Sequence, residues 1–432
     1  MKKTFFAAAC LVMISVITGL TQPERVAAAE AGRVNVSYEH SGGKKCDKLS
    51  DGSVKDGPTS SSYVAFAAGE SLKVGSKVPL QGLYIKWSAV CVPGEWELIT
   101  EDGVKICGKY GFVHEYVELP EGTTSCTLHF PNKAGIIEIE AYGEGELPRD
   151  VQRWEPACEK ADLLVLSTHA DDEVLFLGAP CVLYAGQEGL KVQVVYLCDF
   201  TLNDYGYRNV TREHEKLDGL WTMGITNYPL NGSFPDVYCG NLDVAMQKYK
   251  YETIVEFVTE NIRRFKPLIL VSQDFNGEYG HGAHRIFAKA AAEALEICND
   301  ASVFEESALK YGTWNVPKAY YHLYWENKIR LDVRTPLSAF DGATSLDVQK
   351  VAFKKHVTQQ GTRFVVSDEK PQYDCAAFGL YRSLVGSDTG NDMTENITTY
   401  EEIYETAVDM AILRGRKQFF RYSNAAGIGM LH

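Results

Sequence analysis

The sequence predicts an α/β domain with a Rossmann-like parallel sheet and helices on both faces, preceded by an all-β sandwich or jelly-roll domain. Three observations carry this expectation. Between residues 162 and 274, continuous apolar runs alternate with segments of helical spacing, as buried parallel strands and their crossovers do. Between residues 30 and about 150, short stretches alternate apolar and polar side chains and are separated by Gly, Pro, Asp and Asn, the pattern of antiparallel strands. The rhythm changes across RDVQRWEPACEKAD (149–162), which reads as the boundary between residues 30–150 and 151–432. A chain of 432 residues suits two or three domains. With 45% hydrophobic and 23% charged residues it is neither disordered nor fibrous. Its net charge of −14, without a basic stripe, argues against nucleic acid and anionic membrane as partners.

The first element is a processing signal. Lys2 and Lys3 precede an apolar run from Phe5 to Leu20, and Ala27, Ala28 and Ala29 supply small residues for cleavage before Glu30. Residues 1–29 therefore read as a secretory signal peptide, and the mature chain is expected outside the cell. The run is short for a bilayer span, and no later stretch is long and apolar enough for one. Cys10 sits inside the run rather than after it, which argues against a lipid anchor. Ten cysteines remain after cleavage, too sparse for a disulfide scaffold, and no C-x-x-C pair occurs. Cys181 and Cys198 fall in apolar runs and read as core thiols.

The β elements come next: GLYIKWSAV (82–90), GEWELITED (94–102), FVHEYVELP (112–120), TSCTLHFP (124–131) and GIIEIEAYG (135–143). Trp87, Trp96 and Tyr110 are candidates for stacking on sugar rings, against the plainer expectation that they pack in a core. The α/β elements follow. DLLVLST (162–168), KVQVVYLCD (191–199) and LILVSQD (268–274) are expected buried strands. DEVLFLGAPCVLYAGQEG (172–189) has helical spacing. TREHEKLDGLWTMGI (211–225) is a helix with Thr211 as its N-cap. YETIVEFVTENIRRFKP (251–267) is amphipathic and stopped by Pro267, and AHRIFAKAAAEALEIC (283–298) is a further helix.

This fold places ligands at the carboxyl ends of its strands. No G-x-G-x-x-G turn follows the first strand, so a dinucleotide is not indicated. Instead that strand ends in His169-Ala170-Asp171-Asp172-Glu173, and the third ends in a segment running from Asp274 to His284 with Tyr279 and His281 inside it. Two imidazoles and a carboxylate suffice for a catalytic zinc with an open position. His169 and Asp172 lie three apart on a tight turn, and His284 can join from the other strand end. Asp171 is then a spare carboxylate beside a water whose pKa zinc would bring from about 15.7 toward roughly 7, as a general base requires. His281, with Tyr279 in support, could hold an oxyanion or protonate a leaving amine. Either cluster alone is weak, since lone histidines and helix-opening acids are common. Asp199, Asn203, Asp204 and Arg208 could line the same cleft. His214, His322 and His356 read as structural, with His356 the one that could approach the site. Ser-based catalysis has no Gly-x-Ser-x-Gly elbow to support it.

LSTHADDEVLFLG (166–178) and GEYGHGAHR (277–285) resemble the two signature motifs of the LmbE/PIG-L zinc de-N-acetylases. TREHEKLDGLWTMGI resembles that family's Arg-x-x-Glu helix, and VQKVAFKKHVTQQ (348–360) and FGLYRSLVG (378–386) resemble its C-terminal elements. The resemblance spans about residues 160 to 390. It implies His169, Asp172 and His284 as ligands of zinc or another divalent ion, Asp171 as general base, His281 and Tyr279 as catalytic, and Arg212 as substrate-binding. It further implies a hydrolase that frees acetate from N-acetylglucosamine glycans. Ala170 stands where the family usually has Pro, and Gly282-Ala283 where it usually has Pro-Asp. LSDGSVKDGPTSSSYVAF (49–66) and IIEIEAYGEGELP (136–148) resemble discoidin-like, galactose-binding jelly rolls in layout. The competing expectation is a carbohydrate-binding or adhesion protein whose α/β domain is silent; a zinc amidase acting on a non-sugar amide is a third.

Overall fold

The computed structural model describes residues 31–203 and 210–397. The leader read at residues 1–29 lies outside them, as do Asp204, Arg208 and the side chain of Asn203. Among the described residues, no helix is long and apolar enough to cross a membrane.

The N-terminal part holds two antiparallel sheets of five strands each. One pairs Ala134–Tyr142 with Arg33–Val34, Val64–Phe66 and Gly82–Trp87, which in turn pairs with His114–Glu118. The other runs Val36–His40, Ser71–Ser76, Ser125–His129, Trp96–Thr100, Gly103–Cys107. Their alternating apolar residues share one core that includes Leu72, Leu83, Ile85, Leu128 and Ile136. Trp87 and Trp96 are fully buried there, edge to face at 5.7 Å, and both indole N–H groups donate to Glu115 Oε2 at 3.0 Å. Neither tryptophan is therefore available to stack on a sugar. Tyr110 remains exposed, stacked on Phe112.

The α/β part is built on a seven-stranded sheet, in the order Leu230–Asp236, Val192–Asn203, Leu163–Ser167, Ile269–Ser272, Lys318–His322, Ala377–Ser383, Lys328–Arg330. The first five strands are mutually parallel. Ala377–Ser383 runs antiparallel to both of its neighbours, so the sheet is mixed rather than wholly parallel, and Lys328–Arg330 points the same way as the first five. Leu163–Ser167 and Ile269–Ser272 are buried at every position, as expected of strands covered on both sides. The chain steps outward from Leu163–Ser167 through two strands and then returns to place Ile269–Ser272 on its other side. The strand order reverses between these two, and a cleft opens at their carboxyl ends.

Two local expectations fail for identifiable reasons. Residues 172–189 are not one helix. A turn of helix at Asp172–Leu175 breaks at Phe176 and Leu177, resumes at Gly178–Pro180, and continues as a wider π-helix over Cys181–Gln187. Pro180 has no N–H to continue the ladder, and Gly178 and Gly186 admit the Gln349 side chain and the Phe340 ring where a Cβ would stand. Thr211 is not a cap either. The helix Thr211–Thr222 has Val210 at its cap position and no side-chain cap. The Thr211 hydroxyl instead donates to Asp56 O at 2.9 Å and accepts from Asp56 N–H at 3.1 Å.

That exchange belongs to a buried seam joining the two parts. His214 faces Asp56 Oδ2 through Nε2 (3.2 Å) and His114 Nε2 through Nδ1 (2.8 Å). His114 Nδ1 lies 2.8 Å from Gln152 Oε1, and Val113 N–H donates to the Tyr228 hydroxyl. Asp56 also accepts from the Ser88 hydroxyl, Ala89 N–H and Gly57 N–H. Asp56→Ala should therefore destabilise the chain by about 3 kcal/mol or more, since each orphaned buried donor costs roughly 1–3 kcal/mol. Urea unfolding of the full chain measures this; an unchanged midpoint would show that the seam contributes little.

Candidate metal centre and active site

The Leu163–Ser167 strand runs into Thr168 and then turns sharply. Asp171 has φ 123° and ψ −29°, a conformation non-glycine residues rarely adopt. Strain of this kind costs about 1–3 kcal/mol and is held by its surroundings. Here Asp171 N–H donates to Glu173 Oε2 at 2.7 Å, and the Arg212 guanidinium donates to Ala170 O. The His169 N–H donates to Asp172 Oδ2 at 2.8 Å, which ties the two ends of the turn together.

The second loop, between Ile269–Ser272 and the helix Gly282–Ile297, has positive φ at Gly277, Tyr279 and Gly280. This winding sends Glu278 into the interior, fully buried, while Tyr279 lines the cleft. Gly282 allows the helix to start against the chain at Cys239 and Asn241. Its N–H donates to Cys239 O, and a Cβ would meet Asn241 O at 1.9 Å. Proline could not make that bond, which accounts for one departure from the resembled motif.

The two loops bring three donor atoms together. His169 Nδ1, Asp172 Oδ2 and His284 Nε2 form a triangle with edges of 3.0, 3.0 and 3.1 Å. A tetrahedral ion with bonds of about 2.0–2.2 Å spans ligand pairs roughly 3.3–3.5 Å apart. The donors thus fit a zinc-type ion after a small expansion and leave one position open. Despite burial, His284 and His169 hold the Asp172 carboxyl well below its usual range. Asp172 and Glu278 raise His284 to about 10 against its burial, and a divalent cation at Nε2 would compete with protonation there. A wider grouping of His169, His281 and His284 has donor atoms within 4.8 Å, as does His169, Cys198 and Asp236. The tighter triangle is the better cage. Burial pushes the Cys198 thiol far up, which disfavours the thiolate a metal needs.

Asp171 lies beside this triangle and outside it. Burial pushes its carboxyl up to about 7, against the pull of Arg212 at 3.2 Å. Arg212 also reaches Asp236 at 3.5 Å and lies over the Phe200 ring, while its Nε has no partner. His281 Nε2 faces Cys239 N–H at 3.4 Å, which leaves the proton on Nδ1, and that nitrogen is buried without a partner. Burial, with His169 and His284 nearby, holds His281 down at about 2, so it is a neutral N–H donor in this arrangement. Tyr279 packs edge-on to His284, with its phenol pushed far up by burial. His169, Asp171, Arg212, Asp236, Tyr279 and His281 line one cleft of about 240 Å³. A larger hollow of about 980 Å³, bordered by Tyr116, Pro148, Trp221 and Phe340, contains none of them and gathers no comparable donors.

The seven residues that the sequence resemblance assigns as ligands, catalytic groups or substrate contact thus lie in one place. Asp199 does not join them; its carboxylate closes a local turn on Thr201. His214 belongs to the seam, whereas His322 and His356 stand behind the site on Glu278 and Glu173. Sequence reasoning missed Glu278, Glu173 and Asp236. Asp236, 3.5 Å from His169 Nε2, ends a strand interrupted by Gly232 and Pro235, too irregular to be read as one.

Residues 164–295 match the family model described as PIG-L: GlcNAc-PI de-N-acetylase. The PIG-L match contains both loops and all seven residues. A 1D-myo-inositol 2-acetamido-2-deoxy-alpha-D-glucopyranoside deacetylase 1 from Catenulispora acidiphila is 22% identical over 210 residues, covering 44% of this chain. The chain spans 64% of that relative's length, less than two thirds. Among solved structures, N,N'-diacetylchitobiose deacetylase from Pyrococcus horikoshii is 14% identical with a TM-score of 0.36, covering 47% of this chain and 72% of its own. The zinc-inhibited form of teicoplanin deacetylase Orf2 is 18% identical with a TM-score of 0.30, covering 46% and 84%.

Proposed function

We propose that this protein is an exported zinc-dependent de-N-acetylase that hydrolyses the acetamide of N-acetylglucosamine-containing glycans or glycoconjugates to free amine and acetate. One observation carries the reading. Three donors stand 3.0–3.1 Å apart at a strand-order reversal, with the separate carboxylate of Asp171 alongside. The PIG-L match over the same residues supports it.

His169, Asp172 and His284 would hold the ion. When bound, zinc would supply Lewis-acid polarisation of the acetamide carbonyl and a more acidic water. Asp171 takes the proton of the attacking water and can return it to the departing amine. The unpartnered Nδ1–H of His281 faces the developing oxyanion, with Tyr279 supporting that wall. Arg212 orients Asp171, and its spare Nε–H serves substrate. The leader read at residues 1–29 supports export, which would place extracellular glycans within reach. The N-terminal sheets are read as a discoidin-like domain beside the catalytic one.

Metal analysis and acetate release from N-acetylglucosamine oligosaccharides test this. The expected result is one zinc per chain, acetate and free amine released in equal amounts, loss of turnover on chelation, and recovery with zinc. A metal-free chain that binds sugar without releasing acetate would favour the silent binding protein. Turnover of simple acyl amines but not of sugars would favour the amidase.

A further inference from the structure

The carboxylate of Glu278 lies behind the metal-binding triangle and is completely buried. Four groups converge on it. Oε1 accepts from Asp274 N–H at 3.0 Å and lies 2.9 Å from His322 Nδ1. Oε2 lies 2.8 Å from His284 Nδ1 and accepts from Gln273 Nε2 at 3.2 Å. Three of these contacts are hydrogen bonds and the one to His284 is an ion-pair contact; ringed by these groups and fully buried, Glu278 has no side open to substrate.

The consequence falls on His284. Which ring nitrogen carries the proton is set by the partner of the other nitrogen. With Glu278 on Nδ1, the proton that remains when a metal binds belongs on that side, and the Nε2 lone pair would then face the ion beside His169 and Asp172. His322 braces the carboxylate in turn, its far nitrogen 3.1 Å from Asp374 O. Glu278 reaches this position because Gly277, Tyr279 and Gly280 wind the loop through positive φ. Residue 283, between the two loop histidines, is a buried alanine and supplies no carboxylate.

We propose that Glu278, braced by His322, is a positioning residue that fixes the tautomer and orientation of His284 for metal binding. This rests on the reading of His169, Asp172 and His284 as a metal site. It assigns Glu278 no contact with substrate.

The test uses the full mature chain as wild type, Glu278→Gln, Glu278→Ala and His322→Gln. Zinc affinity is measured by competition with a chromophoric chelator, the visible spectrum of the cobalt-loaded forms is recorded, and the metal-free proteins are melted. Loss of such an outer partner typically costs 10–100-fold in metal affinity. Both Glu278 variants should lose about that much and show altered cobalt bands, with a smaller loss for His322→Gln. Lower melting of the metal-free Glu278 variants with unchanged zinc affinity would make Glu278 a packing residue only and overturn the proposal. If the Glu278 variants do not fold, His322→Gln decides alone: wild-type affinity and cobalt bands overturn the relay. A wild-type chain that binds no zinc overturns the metal site itself, and the relay with it.

Discussion

Asp171→Asn is expected to leave zinc bound at the wild-type stoichiometry while lowering kcat by about 10²–10⁴-fold, the usual contribution of a positioned general base. Asparagine has nearly the shape of aspartate, so the Arg212 contact at 3.2 Å can persist through its amide oxygen. It cannot take up a proton. Asp171 is not part of the His169–Asp172–His284 triangle, so the metal should not notice the change. Acetate release and zinc content, measured on the same preparation, separate the two effects. Undiminished turnover would remove Asp171 from the proposed mechanism. Loss of zinc instead would make it a ligand.

His284→Ala should have the opposite signature, losing the metal first and turnover as a result. The variant removes one corner of the triangle and strips partners from two buried carboxylates, Asp172 at 3.1 Å and Glu278 at 2.8 Å. Removing one partner of a buried pair typically costs 3–5 kcal/mol, so a drop of about that size in unfolding free energy is expected. Zinc stoichiometry after dialysis and urea unfolding of the metal-free chain measure the two losses separately. Stoichiometric zinc in this variant would count against its role as a ligand.

What was legible in the sequence follows a physical division. Leu163–Ser167 and Ile269–Ser272 could be read because a strand buried on both faces is apolar at every position. The cleft residues could be read because a strand end compresses them into two short segments. The supporting groups could not. Glu278, between Gly277 and Tyr279, reads as a solvated loop acid until the positive φ angles turn it inward. Glu173, which accepts the Asp171 N–H, reads as an ordinary helix-opening acid. His322 and His356 arrive from distant elements, and no local pattern announces their partners. The break at Phe176 and Leu177 escaped because helical spacing persists across it, while tertiary packing of Gln349 and Phe340 against Gly178 and Gly186 decides the winding. The antiparallel direction of Ala377–Ser383 escaped because it is set by pairing with the distant strands Lys318–His322 and Lys328–Arg330, which no local pattern announces.

The seam around Asp56 bears on how this molecule can be handled. The helix that carries Arg212 takes its leading anchor from the backbone of Asp56, more than 150 positions earlier in the chain. Severing the polypeptide near residue 150 would strand the imidazole of His214 and the phenol of Tyr228 on a bared surface. It would also loosen the arginine that steadies Asp171. The N-terminal sheets are thus a keystone of the cleft as much as an appendage to it, and a trimmed chain should show less of the proposed acetate release than the whole.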